Sequence, residues 1–148
     1  MFLKVINLPV DSNLEILHTE NCRLLISMYE KYYSLMGFNL PWVGYFIIDN
    51  NTVVGSCGFV GKPNDGVVEI AYWTFKEYEG KGVASFACSE LIAIARKVDP
   101  SLILTARTAP HFNASVKILQ KHGFYFYSNA QDIEIGAAWD WRLTVDDI

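Results

Sequence analysis

The chain has 148 residues, of which 51% are hydrophobic, 19% charged and 14% aromatic. This is enough apolar material for one sizeable core and too little length for two ordinary domains, so one domain over residues 1–148 is expected. The 12 Lys and Arg residues are outnumbered by 16 Asp and Glu residues, which gives a net charge of −4. A negatively charged chain has no global field that attracts DNA or RNA, and no nucleic-acid partner is expected.

The sequence contains no segment that predicts export or membrane insertion. Residues 1–10 lack a long apolar region followed by a small-residue cleavage site. The longest uncharged stretch, Tyr32 to Ile48, is shorter than a typical membrane-spanning helix and is interrupted by glycine and proline. Cys22, Cys57 and Cys88 are odd in number and widely spaced, which suits neither a disulfide framework nor a zinc site. We therefore expect a cytoplasmic protein with three reduced, mostly buried thiols and no metal.

The first predicted elements are a helix and a hairpin. Apolar residues recur at helical spacing from Glu20 to Met36, and Gly37 follows as a helix stop. Two segments rich in β-branched and aromatic residues, Trp42 to Asp49 and Thr52 to Val60, are joined by a turn-favouring cluster, Asp49-Asn50-Asn51. These two segments predict a β-hairpin.

The middle of the chain predicts a central strand followed by a glycine loop and a helix. After a loop over residues 61–66, the segment Val67 to Phe75 is apolar on both alternating faces, which is typical of a strand covered on both sides. A loop with Gly80 and Gly82 then opens a helix that runs to about Val98.

The last third predicts a strand, a helix and two further strands, namely Leu102 to Ala106, Phe112 to His122, Phe124 to Tyr127 and Asp132 to Leu143. The complete element order indicates an α/β protein with a mixed sheet that contains a strand, loop, helix, strand unit.

The glycine loop of this unit is where chemistry is expected, because it exposes backbone N–H groups at a helix N-terminus, a place that binds phosphate. The loop does not match the G-x-x-x-x-G-K pattern of nucleoside triphosphate sites. It also departs from the dinucleotide fingerprint G-x-G-x-x-G, since Ser85 stands where the third glycine belongs. A loop that only needs a flexible backbone is the alternative interpretation.

Five segments in order and spacing indicate a specific family; they are Glu69 to Trp73, Tyr78 to Ala84, Thr108 to Pro110, Asn113 to Ser115 and Lys121 to Phe124. They resemble successive blocks of the GNAT superfamily of N-acetyltransferases, and most of all the branch that includes the ribosomal-protein N-terminal alanine acetyltransferases. The likeness extends over roughly Trp42 to Leu143. It implies a central, mostly antiparallel mixed sheet with a V-shaped splay between its two middle strands and helices on both faces.

The resemblance implies that acetyl-coenzyme A is the cosubstrate. Backbone amides of the glycine loop would hold its pyrophosphate, and backbone groups of the central strand would hold its pantetheine arm. Asn113 matches an asparagine that contacts the coenzyme, although a helix N-cap explains the residue nearly as well. The loop residues implied are Glu79, Gly80, Lys81, Gly82, Val83, Ala84 and Ser85, and those of the strand are Trp73, Thr74 and Phe75. Glu79 is a departure, because the family usually has Gln or Arg there. Binding is expected to survive, since backbone amides make most of the contacts.

A general base is expected, because an amine acceptor is largely protonated near neutral pH. Glu69 is the candidate base, as the sole acid in a strand otherwise apolar on both faces, a setting that raises a carboxyl pKa. A solvent-facing glutamate or a structural ion pair is the alternative. Glu134 is the second candidate, in a region that supplies the base in some relatives.

The departing thiolate calls for a proton donor. Many relatives use a tyrosine of the helix that corresponds to Phe112 to His122, and this sequence has no tyrosine there. Ser115 is the candidate here, with an ordinary helix serine that bonds its own backbone as the alternative.

The function expected from these residues and the resemblance is an acyltransferase that moves an acetyl group from acetyl-CoA to a primary amine, either a protein N-terminus or a small amine. Direct attack in a ternary complex is expected, because no cysteine has an activating partner. A noncatalytic acyl-CoA-binding regulator and a nicotinamide dinucleotide enzyme are the alternatives. No membrane partner is expected, and the sequence is compatible with a monomer or a homodimer.

Overall fold

A seven-stranded sheet in the order β1-β2-β3-β4-β5-β7-β6 organises the computed structural model, which describes residues 1–11 and 13–145. The strands are β1 (Phe2–Val5), β2 (Gly44–Asp49), β3 (Thr52–Asn64), β4 (Val67–Thr74), β5 (Ile103–Thr108), β6 (Tyr125–Asp132) and β7 (Gly136–Leu143). The helices are α1 (Glu20–Met36), α2 (Val83–Val98) and α3 (Ala114–Lys121), with short 3-10 turns at Glu15–Leu17 and Lys76–Tyr78.

The sheet is antiparallel except between its two middle strands, β4 and β5, which run parallel. Their ladder pairs Val67 to Glu69 with Ile103 to Thr105. Strand β4 then continues to Thr74, and no further pairing joins the described residues of the two strands. The predicted mixed sheet with a V-shaped splay between its middle strands is confirmed.

Helices cover both faces of the sheet. The larger core lies between the sheet and helices α2 and α3, and it includes Ile70 and Val68 of the central strand. The second core lies on the opposite face, where Cys22 and Leu25 of α1 pack near Phe46 of β2. All three cysteines are free and buried, as predicted.

The local signals explain most element boundaries. Helix α1 begins after Thr19, whose side chain accepts a hydrogen bond from the backbone N–H of Cys22, and it ends at Gly37. The β2–β3 hairpin turns at Asn50 and Asn51, which both have positive φ angles, as a type I′ turn requires.

Several boundaries differ from the predictions by one or two residues, and three differences are larger. Strand β1 was not predicted, because four residues of an edge strand carry little pattern of their own. Strand β3 extends through Asn64, so the expected loop over residues 61–66 shrinks to Asp65 and Gly66, a second hairpin turn with positive φ at both positions. Strand β6 continues to Asp132, where a turn rather than the start of the last strand follows. Among the described residues, no helix is both long and apolar enough to cross a membrane.

Candidate active site

The open side of β4 beyond Glu69 is the first feature of the site. The backbone carbonyl of Gly66 accepts a hydrogen bond from Ile103 of β5, whereas the N–H of Phe75 donates to Val54 of β3, both at 2.9 Å. Backbone polar groups alternate between the two edges of a strand. Even-numbered residues of β4 therefore point towards β5, and odd-numbered ones towards β3.

Trp73, Thr74 and Phe75 were predicted to pair with the coenzyme through their backbone groups, and this alternation decides which of those groups face the opening. The N–H of Phe75 is already engaged, and Trp73 shares its direction. Past the last β4–β5 pair, the backbone groups that face the opening belong to Thr74 and, two residues earlier, to Tyr72. These are the groups available to pair with an extended ligand in the gap.

The glycine loop before α2 ends in a helix N-terminus without a side-chain cap. Gly82 is the N-cap residue, with a φ of 82°, and Gly80 has a φ of 76°. Both angles lie in the left-handed region that favours glycine. A Cβ atom at either position would meet nothing within 4 Å, so the loop borders open space.

Helix α2 differs in this respect from the other two helices. Thr19 caps α1 and Asn113 caps α3, whereas no side chain caps α2. The N–H groups of the first turn have no intrahelical acceptor. Uncapped N–H groups beside open space are the kind of group that binds anions, and here they belong to Val83, Ala84 and Ser85.

The charges near this loop are mixed. The Nζ of Lys121 lies 3.5 Å from the Ser85 hydroxyl, and the Nζ of Lys81 lies 5.7 Å from the centre of the Tyr78 ring. Glu79 is exposed at the end of the 3-10 turn. The two lysines are placed to attract phosphates, and Glu79 partly offsets them.

Asn113 has the structural role, a helix N-cap, that was the alternative to contact with the coenzyme. Its side-chain oxygen accepts a hydrogen bond from the Val116 N–H at 3.0 Å, which caps α3. Its amide NH₂ group is the part that is left to donate to a ligand.

Glu69 lies at the last residue of the β4–β5 ladder, where the two strands separate. Its neighbours Val68 and Ile70 are buried on the α2 side, so its half-buried side chain points to the opposite face. Burial raises the pKa of Glu69, the positive charge of Arg107 lowers it, and the negative charges of Asp132 and Asp140 raise it further. In the part of the chain that the structure describes, no ion pair includes Glu69.

A network of charged side chains from β5, β6 and β7 surrounds Glu69 on this face. Arg107 contacts Asp132 at 3.2 Å and donates a hydrogen bond to the carbonyl of Gln131 at 3.3 Å. Arg142 lies 3.8 Å from Asp140. Each arginine is thus matched by one aspartate, which leaves Glu69 as the carboxylate without a cationic partner of its own.

The two other predicted catalytic residues lie apart from each other. Ser115 is half-buried in the first turn of α3, on the opposite face of the sheet from Glu69, and its hydroxyl lies close enough to the phenol of Tyr72 to lower the pKa of that phenol. Glu134 is exposed in the β6–β7 turn, where its backbone N–H donates to Asp132 at 2.9 Å. Asp132 and Asp140, rather than Glu134, are the acids of this hairpin whose charges act on Glu69.

The family model of the acetyltransferase (GNAT) domain matches residues 17–125, which is well over half of the chain. The chain belongs to this family. Its matched segment contains the splay, the uncapped glycine loop and Glu69.

Other GNAT proteins support the same assignment at the level of fold. YncA of Salmonella typhimurium, solved with its cofactor acetyl-CoA, superposes with a TM-score of 0.65 at 18% identity, over 99% of this chain and 95% of that one. RimL, a ribosomal L7/L12 alpha-N-protein acetyltransferase solved in complex with coenzyme A, gives a TM-score of 0.66 at 15% identity, over 87% of this chain and 74% of that one.

A curated relative is more similar in sequence but over a shorter segment. The uncharacterized N-acetyltransferase YjdG of Bacillus subtilis (strain 168) is 36% identical over 77 residues. This segment is 51% of the present chain and 46% of YjdG, so the match spans less than half of that relative.

Sequence reasoning did not identify several residues that the GNAT fold of this chain brings together. Arg107, Asp132 and Asp140 gather around Glu69, and Tyr72 meets Ser115. One signal was available in β7, where charged Asp140 alternates with the adjacent tryptophans and so predicts a polar face.

Two further observations bound the site. The described residues contain no group of three or more His, Cys, Asp or Glu side chains that could hold a metal ion. A cavity of about 460 Å³ lies between α3 and the β6–β7 hairpin and contains none of the predicted catalytic or coenzyme residues. It is lined by Phe112, Gln120, Phe124, Tyr125, Phe126, Trp139 and Trp141.

Proposed function

We propose that the protein transfers the acetyl group of acetyl-CoA to a primary amine by direct attack in a ternary complex. One observation carries this proposal. The β4–β5 ladder ends at Glu69, whose side chain lies on one face of the sheet, and the uncapped N-terminus of α2 lies on the other face. A coenzyme that binds its phosphates at the helix would reach the base through the gap between β4 and β5.

Most of the proposed contacts with acetyl-CoA are made by backbone groups, and fewer by side chains. The N–H groups at the start of α2 would hold the pyrophosphate, with Lys121 beside them. The backbone of Thr74 and Tyr72 would pair with the pantetheine arm. The yncA structure contains acetyl-CoA in the same fold, which supports this assignment.

Glu69 is the proposed general base. Removing a proton from a lysine-like amine near neutral pH costs roughly 4 to 5 kcal/mol, whereas an N-terminal amine with a pKa of about 8 costs about 1 to 2 kcal/mol. A carboxylate whose pKa burial has raised accepts that proton more readily than an exposed glutamate does. The amine then attacks the acetyl carbon, and a β4 backbone N–H stabilises the developing oxyanion.

The charge around Glu69 favours an amine that arrives as a cation. Two arginines face two aspartates and Glu69, so the cluster carries a net charge of −1 when all five groups are ionised. A protein N-terminus and a small amine both fit this charge. The likeness to RimL supports the first of these, and membership of the ribosomal-protein-alanine branch remains part of the proposal.

A two-step experiment tests the function. Thermal shifts are measured with acetyl-CoA, coenzyme A, nicotinamide dinucleotides and ATP, and thiol release from acetyl-CoA is then followed with a panel of amines. We expect stabilisation by acetyl-CoA and coenzyme A, and amine-dependent thiol release. No shift with acetyl-CoA would overturn the proposal, and a shift without thiol release from any amine would favour a noncatalytic acyl-CoA-binding module.

A further inference from the structure

Tyr72 lies on β4 beside the gap. It is three residues past the last β4–β5 pair, and its backbone polar groups face the opening. Its side chain extends onto the α2 and α3 face, where it packs against the larger core and lies close enough to the Ser115 hydroxyl for that group to lower the pKa of the phenol. A phenol of β4 and a hydroxyl of α3 thus lie near each other beside the splay.

The route of the coenzyme places its sulfur beside this phenol. The pyrophosphate site lies on the α2 face and the base lies on the opposite face, so the acetyl group must pass through the gap ahead of the sulfur. The sulfur is therefore left in the gap on the helix side. Tyr72 and Ser115 are polar side chains on this side of the sheet, beside the point where β4 leaves β5.

We propose that Tyr72 donates a hydrogen bond to the sulfur as it departs from the acetyl group, and that Ser115 orients the Tyr72 phenol for this role. The inference rests on the proposed acetyl transfer and adds to it the residue that stabilises the leaving group. Tyr72 is then a catalytic residue and Ser115 a positioning residue, which revises the predicted role of Ser115 as the proton donor.

Relative acidity decides between a hydrogen bond and a full proton transfer. Burial raises the pKa of Tyr72 to about 12, against about 8.5 for an alkyl thiol of the cysteine type. Complete transfer from phenol to thiolate is therefore unfavourable, and an aliphatic alcohol such as Ser115 is a weaker acid still. A phenol that stays protonated remains a donor throughout, and its bond to the anionic sulfur is charge-assisted.

The acetyl transfer forms one bond and breaks one. A bond forms between the amine nitrogen and the acetyl carbon, and the carbon–sulfur bond breaks with its electron pair kept by the sulfur. Glu69 takes the first proton from the cationic amine, directly or through water, and releases it to solvent. The second proton, which the nitrogen loses as the amide forms, passes to Glu69 or to water. The thiolate keeps the Tyr72 hydrogen bond and takes up a proton from solvent after it has left.

The test compares Y72F, S115A and S115T with the wild type, using acetyl-CoA and the best acceptor from the amine panel. We expect Y72F to lower kcat by about 10- to 100-fold, as for loss of a hydrogen bond to a charged group, with KM for acetyl-CoA within about twofold. S115A should lower kcat by about 3- to 10-fold, and S115T should restore it because it keeps the hydroxyl.

Tyr45 offers a matched control for the loss of a buried tyrosine hydroxyl. It lies in the same row of the same face, since Tyr45 pairs with Cys57 and Cys57 pairs with Tyr72. Its hydroxyl donates to the carbonyl of Pro41 at 2.7 Å, two strands away from the gap. We expect Y45F to retain kcat within about twofold, and melting temperatures will separate activity loss from unfolding.

A selenoester analogue of acetyl-CoA distinguishes leaving-group stabilisation from a structural role. A selenol is a stronger acid than a thiol and needs less help to depart, so the Y72F deficit should shrink by at least about fivefold with this donor. Equal deficits with both donors, or full kcat in Y72F, would overturn the inference while leaving the proposed function intact. A wild type that transfers no acetyl group to any amine would overturn the proposed function, and the inference with it.

Discussion

We predict that Arg107 sets the pH range in which Glu69, the proposed base, is ionised, and the variant R107M tests this. Glu69 pairs in register with Thr105, and Arg107 lies two residues further along β5 on the same face. Diagonal neighbours on paired strands lie about 7 to 8 Å apart, and this is a lower bound here because β4 and β5 separate beyond Glu69. Two unit charges at about 8 Å interact by about 0.5 kcal/mol in water and about 2 kcal/mol at an effective dielectric constant of about 20. Because Arg107 is exposed, we take the lower half of that range, about 0.5 to 1 kcal/mol.

The charge of Arg107 decides the direction in which R107M shifts the pKa of Glu69. Arg107 lowers the pKa of Glu69, so its removal raises that pKa and protonates the base over a wider range of acidic pH. On the acid limb of the kcat/KM profile, we expect R107M to be slower by about two- to fivefold, with an unchanged plateau at higher pH. The difference should shrink in about 1 M salt, where exposed charges are screened.

R142M is the matched control for this profile. It makes the same change in net charge on the same sheet face, and Arg142 is not among the groups that shift the pKa of Glu69. The R142M acid limb should therefore coincide with that of the wild type. The reasoning is refuted if R107M leaves the acid limb in place, moves it towards lower pH, or moves it no further than R142M does.

Three further predictions concern stability and coenzyme binding. A raised pKa means that the folded protein holds the Glu69 proton more tightly than the unfolded chain does. Ionised Glu69 therefore destabilises the fold above the folded-state pKa and has no such effect below the unfolded-state pKa. E69Q should raise the melting temperature by about 1 to 4 °C at about pH 8 and by nothing at about pH 3.5, and an equal rise at both would contradict this. E79R should tighten acetyl-CoA binding by about 2- to 10-fold in a low-salt calorimetric titration and less so in high salt, whereas unchanged affinity would show that Glu79 faces away from the phosphates. N113A removes the α3 cap and should cost about 1 kcal/mol of unfolding free energy in a urea titration, a cost that N113D should largely avoid.

The parts of the site that lie close together in sequence were predictable from it. The central strand, the loop with Gly80 and Gly82, and helix α2 follow one another, and each has its own local signal in apolar pattern or glycine position. Glu69 was identifiable because it is the sole acid of an otherwise apolar strand. Its raised pKa has the predicted cause, namely burial.

The contacts between distant segments were not predictable, because they depend on strand register. Arg107 meets Asp132 across 25 residues, and the choice between Asp132 and Glu134 turns on where the β6–β7 hairpin bends. The phenol proposed to take the place of the tyrosine that α3 lacks lies on β4, where no inspection of the helix alone would find it. A shift of one residue in either strand would move these side chains to the other face.

The pH dependence of thiol release by the wild type and by E69Q tests the central claim most directly. With acetyl-CoA and an accepted amine, the wild-type rate should rise with pH through an apparent pKa above the usual range of glutamate. E69Q should be slower by about 10²- to 10⁴-fold near neutral pH and should recover in part at high pH, where the amine loses its proton unaided. Full turnover by E69Q at neutral and high pH alike would contradict the assignment of Glu69 as the base.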